Sequence, residues 1–76
     1  DEIEVDVIEF QPEANSPITQ RSLKDLDLPK DCIVGMINHH GKIRIAHGTS
    51  MLTEDDTALV FAKPKAISKV KKLFMK

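Results

Sequence analysis

Seventy-six residues, with 11 Lys and Arg against 12 Asp and Glu and a formal net charge of −1, make one small domain with no overall electrostatic pull toward nucleic acid or membrane. Apolar runs of a handful of residues are too short for a membrane-spanning helix, and the lone Cys32 excludes an intrachain disulfide. A domain of this size buries roughly 60% of its unfolded surface, so association with a second chain is the expected further source of stability.

The chain opens at Asp1 without a Met or a secretory leader, directly into strand-like sequence. It reads as a piece of something longer. Glu2 to Phe10 alternates acids with Ile3, Val5 and Val7 and then slips parity at Val7-Ile8. This predicts a strand with one wet face and a bulge at the slip. Its five acids, Asp1, Glu2, Glu4, Asp6 and Glu9, have no base among them and read as a solvated edge.

Gln11 to Pro17 is loop, marked by two prolines, Asn15 and Ser16. A short helix is predicted within Ile18 to Asp27, with Ile18, Ser22, Leu23 and Leu26 on one stripe. Its cap is either Ser16, with Pro17 in the first helical position, or Thr19. Pro29 then forces Leu28 out of helical conformation.

The stretch from Cys32 to Ala62 is the organising feature, and Cys32 to Asn38 is its first run. Regular alternation places Ile33 and Ile37 on one face and Val34 and Met36 on the other, so both faces are apolar. One face is expected against the domain's own helices and the other against a twin, with Cys32, Val34 and Met36 as the dimer contacts. Cys32 is read as an unreactive thiol of a reducing compartment.

A two-residue turn at His40-Gly41 would pair His39 with Lys42, Ile37 with Arg44 and Val34 with His47. Thr57 to Ala62 supplies another strand, and a short extra one is conceivable at Ser50-Met51-Leu52. Ile67, Val70, Leu73 and Phe74 then mark an amphipathic helix whose polar side carries Lys63, Lys65, Lys69, Lys71, Lys72 and Lys76. The predicted order is β-α-β-β-β-α: an α+β fold of a small, mostly antiparallel sheet with two helices, occupying residues 1–76 as one domain.

No catalytic apparatus is evident, and an enzyme is not expected. Gly35, Gly41 and Gly48 are too widely spaced to cradle a phosphate, and Ser22 and Ser50 lack the signature of an activated nucleophile. His47 would lie roughly 17 Å along the ladder from His39, too far to share one ion, so no metal site is predicted. The lysine-rich helix has no Trp or Tyr beside it for base stacking, which argues against nucleic acid.

Taken in order, Ser16-Pro17-Ile18, Leu23-x-x-Leu26-x-Leu28-Pro29, an apolar strand, Gly41 at a turn, and Gly48-Thr49-x-x-Leu52-x-x-x-Asp56 resemble the TrkA-C domain. That domain is the C-terminal half of the RCK (regulator of conductance of K⁺) unit, and the likeness runs from about Val5 to Phe74. It implies a dimerising, ligand-sensing regulatory domain of a cytosolic subunit that gates potassium uptake. It also implies a neighbouring nucleotide-binding domain, where any NAD or ATP would sit, and a membrane transporter or channel subunit as partner. The localisation implied is cytoplasmic, peripheral to the membrane through that partner.

No cofactor is implied for this domain itself, but a cyclic dinucleotide such as cyclic di-AMP is the candidate ligand. By analogy Arg44 and His47 would meet phosphate, Asn38 a base or ribose, and Ile37 and Ile45 apolar surface, with Ala46 ending the strand beside them. The chain departs from the family pattern at Gln20 and Asp55, where Gly is usual, and at Ala46, where Pro is usual beside the ligand. The alternatives are a purely structural dimerisation module, or the same domain within another cation transporter or antiporter.

Overall fold

The structure, a computed structural model, describes residues 4–76; the part of the predicted first strand at Glu2 and Ile3 lies outside them. Among the described residues, four strands form one sheet: β1 (Asp6–Phe10), β2 (Cys32–His39), β3 (Lys42–Ile45) and β4 (Asp56–Ala62). Their spatial order is β1-β4-β2-β3 and every pairing is antiparallel. One helix, α1 (Ile67–Leu73), follows a 3₁₀ turn at Pro64–Ala66. The α+β class and the antiparallel sheet are therefore as the sequence implies.

Two elements take a different form from the expected one. The segment predicted as a first helix folds as two single 3₁₀ turns, Pro17–Thr19 and Leu23–Asp25, separated by an extended Ser22. Tertiary hydrogen bonds account for the break. The N–H of Leu23 donates to Ser50 O at 2.9 Å and that of Lys24 to Gly48 O at 2.8 Å, so this backbone is tied to the 46–55 loop. Strand β1, by contrast, is regular from Asp6↔Ala62 to Phe10↔Ala58, with no bulge at Val7-Ile8. No strand forms at Ser50-Met51-Leu52.

The bulge lies in β2 instead. Val34 pairs with Val60 and Met36 with Leu59, leaving Gly35 as the extra residue. A Cβ on Gly35 would stand 2.6 Å from the Phe61 ring, so the close approach of that ring requires glycine here. The insertion swaps the facing of everything beyond it. Val34 and Ile37 point to the same side and are buried, whereas Ile33 and Met36 point to the other and are exposed. The expected grouping of Ile33 with Ile37, and of Val34 with Met36, is thereby corrected.

The inward face packs against the two 3₁₀ turns and α1. Ile18 and Leu23 come from the turns, Val34, Ile37, Ala58, Val60 and Ala62 from the sheet, and Val70 and Phe74 from the helix, with Leu52 from the loop. Each fully buried Ile, Leu or Val among these contributes about 1.5–3 kcal/mol of burial. Phe74 stacks on Phe10 with centroids 4.8 Å apart, and Glu13 N–H donates to Phe74 O at 2.8 Å, which ties the helix end to the segment after β1. Ser16, a candidate helix cap, makes no side-chain cap bond. Its hydroxyl is fully buried without a partner among the described residues.

Candidate functional site

Among the described residues, none covers the second face of the sheet. The register sets out its rows: Val7, Phe61 and Ile33; then Glu9, Leu59, Met36 and Ile45; then Thr57, Asn38 and Ile43. Met36, Phe61, Ile43, Ile33 and Ile45 are 36–68% exposed. Exposed apolar residues grouped on one face are the kind of surface that interaction sites use. The second apolar face expected of β2 lies here, but on different residues. Met36 stands on it. Val34 does not, because the bulge turns it into the chain's own core. Cys32 is partly buried and its Sγ donates to Pro29 O at 3.2 Å. Burial, and then the Asp31 charge, push its thiol above the usual range, which leaves it protonated and unreactive at neutral pH.

Two depressions mark the ends of this open face. One of about 480 Å³ is lined by Val5, Asp31, Cys32, Ile33, Phe61, Ala62 and Lys63. The other, about 100 Å³, is lined by Glu9, Met36, Asn38, Ile43, Thr57 and Leu59. At the first, Asp31 pairs with Lys65 at 3.3 Å and with Lys63 at 3.5 Å. The Lys65 hydrogen bond, more than any other contact, holds the Asp31 carboxyl below its ordinary value.

The residues proposed for a ligand are only partly gathered. The hairpin forms as expected, with His39↔Lys42 and Ile37↔Arg44 across a His40-Gly41 turn whose residues both have positive φ. Val34 and His47 do not pair, since β3 ends at Ile45 and the Ala46 N–H donates to Gly35 O. Asn38 and Ile45 lie on the open face; Arg44 lies on the side of Ile37 and is exposed beyond the core. Ile37 itself is fully buried and has no surface to offer a ligand. Asn38 Oδ1 accepts the Gly41 N–H at 2.9 Å, which locks the turn and leaves the amide NH₂ as its free donor. Ala46 is half-buried, and His47 sits exposed in a turn closed by Ser50, whose Oγ accepts the His47 N–H.

One constellation went unseen in the sequence. Asp56, 2% exposed, accepts from His39 Nδ1 at 2.5 Å and from the Thr53 N–H at 2.9 Å. Burial alone would raise its carboxyl, but the Thr53 N–H and then His39 more than offset this and hold it below the ordinary 3.8. The carboxylate joins the end of β2 to the loop that carries His47. His40 is left-handed within the turn, and its ring meets that of His39 edge-on at 4.4 Å. Among the described residues, no three His, Cys, Asp or Glu side chains gather as a metal site, and no helix is long and apolar enough to cross a membrane.

Comparison with known proteins bears on this arrangement. The model of the TrkA-C domain family matches residues 7–75. A Trk system potassium uptake protein TrkA homolog of Archaeoglobus fulgidus is 38% identical over 60 residues, 79% of this chain and 14% of that protein. TrkA homolog 2 of Methanosarcina mazei is 32% identical over 69 residues, 91% of this chain and 15% of that protein. The homolog of Pyrococcus horikoshii is 29% identical over 72 residues, 93% of this chain and 32% of that protein. The chain therefore spans between about a seventh and a third of the length of these relatives. A solved structure described as an RCK domain with cda superposes with a TM-score of 0.76, covering 90% of this chain and 96% of that one. Its 18% identity makes this a likeness of fold.

Proposed function

Because the chain belongs to the TrkA-C domain family, we propose that it is the ligand-sensing, dimerising regulatory domain of a cytosolic subunit that gates potassium uptake. The observation that carries this reading is the open sheet face, with Ile33, Met36, Ile43, Ile45 and Phe61 exposed together. A second copy covers that face, and a ligand held at the seam biases how the two copies sit. That bias passes to a neighbouring nucleotide-binding domain and on to a membrane transporter, which is coupling through a two-state interface. The role is non-catalytic and needs no cofactor in this domain.

The ligand we favour is a cyclic dinucleotide. Asn38 and Ile45 offer an amide and an apolar surface on the open face, while Arg44, on the opposite face of the edge strand β3, and His47, in the turn after it, stand exposed on either side of Ala46. Arg44 has no ion pair among the described residues, so its guanidinium is free for a phosphate. The solved RCK domain described with cda supports a ligand of this kind.

Two measurements test the proposal. Sedimentation velocity at micromolar concentration is expected to give twice the chain mass; one chain's mass throughout would refute pairing. Cyclic di-AMP at 100 times its dissociation constant is expected to stabilise the domain by about 2.7 kcal/mol. A dimer that shows neither binding heat nor a melting shift would leave a purely structural module as the reading.

A further inference from the structure

We infer that the twin sits with its two-fold axis in the plane between the sheets and perpendicular to the strands, so that Glu9 of each copy faces the partner's Lys63. This rests on the proposed pairing through the open face and fixes its geometry. The open face is electrically polar along the strands. Glu9 lines the depression at one end and Lys63 the depression at the other. Along the chain these levels correspond to Leu59 in β4, the pairing partner of Glu9, and to Lys63 just past the end of β4, two residues to either side of Phe61.

Aligned isologous packing of two such sheets leaves two in-plane axes, one near-parallel and one near-perpendicular to the strands. An axis parallel to the strands lays like end on like end, which brings the two Lys63 side chains toward each other across the central strands and leaves Glu9 unmatched. An axis perpendicular to them turns each copy end for end about the Phe61 level. Phe61 then lies over the partner's Phe61, and each Glu9 lies over a Lys63 level, giving two opposite-charge rim contacts at a sheet separation of about 10 Å. The same rotation carries the exposed Met36 over the partner's larger depression, the apolar space of about 480 Å³ beside Asp31. Lys63 is half exposed, and Asp31 keeps Lys65 when Lys63 swings to its new partner. One rotation therefore matches charge to charge and knob to hollow.

The test is a charge exchange in the 76-residue chain, read by sedimentation velocity. Glu9→Lys and Lys63→Glu, both at exposed positions, are each expected to weaken self-association about tenfold, because each places like charges at two rim contacts. Mixing the two variants is expected to restore wild-type affinity, because each rim contact of the mixed pair again sets one lysine against one glutamate. The differences should fade in 1 M salt. A wild-type dimer whose affinity neither variant changes, or two weakened variants that fail to rescue each other, would overturn this geometry while leaving the pairing intact. A wild-type chain that never pairs would remove the proposed function as well.

Discussion

Val34→Asp is expected to abolish folding, while Met36→Asp, two positions away, leaves a folded chain that no longer pairs. Val34 belongs to the buried cluster and sits opposite Val60. Among the described residues a carboxylate there joins an apolar cluster with no cation in it, and the cost of an unpaired buried charge is on the order of 4 kcal/mol or more. A domain of this length has roughly 4–11 kcal/mol of total stability, so the variant should lose its cooperative melt. Met36 stands on the open face, where a carboxylate stays solvated in the single chain but is stranded between two. Its far-ultraviolet spectrum should match the parent while its sedimentation coefficient falls to that of one chain. If both variants unfold, or if Val34→Asp is the benign one, the bulge at Gly35 is misplaced.

Asp56→Ala is the second large effect. It removes the acceptor for the Thr53 N–H and the partner of the His39 ring at a site that is almost fully buried. The expected cost is about 3 kcal/mol, which lowers the melting temperature by about 15 °C in a domain this small. Asp56→Asn keeps one carbonyl oxygen for Thr53 and should lose less. The acid limb gives an independent reading. The folded carboxyl lies below its ordinary 3.8, so its contribution is full above that pH and is lost as pH falls from there through the folded value. A chemical-denaturation series from pH 6 to pH 2 should show this loss in the parent and not in Asp56→Asn. Parallel curves for the two would mean that the carboxylate is not held as described.

How much of this the sequence carries follows from how local each signal is. The hairpin was readable because His40-Gly41 supplies a two-residue turn of left-handed residues, and α1 because Val70 and Phe74 keep helical spacing through a segment with no breaker. The facing of β2 was not, because a bulge shifts parity by one residue and Gly35 has no side chain to mark the shift. Contacts distant in the chain set the rest. The turns at Pro17 and Leu23 are held apart by bonds to the 48–50 loop, and Asp56 meets His39 across 17 positions. The ligand residues were chosen on the strand ladder, and the ladder itself places Ile37 inside and Arg44 on the opposite face from Asn38.

The sheet is also graded in how firmly it is held. Strand β4 is bonded on both sides, whereas β3 is joined to β2 alone and all four of its residues are exposed. Deuterium should therefore enter the amides of β3 long before those of β4, since local opening needs only the outermost ribbon to peel away. Arg44 and Ile45 ride on that ribbon. An effector bound there would meet a fringe that is partly frayed, and slowed exchange confined to Lys42–Ile45 would be its imprint.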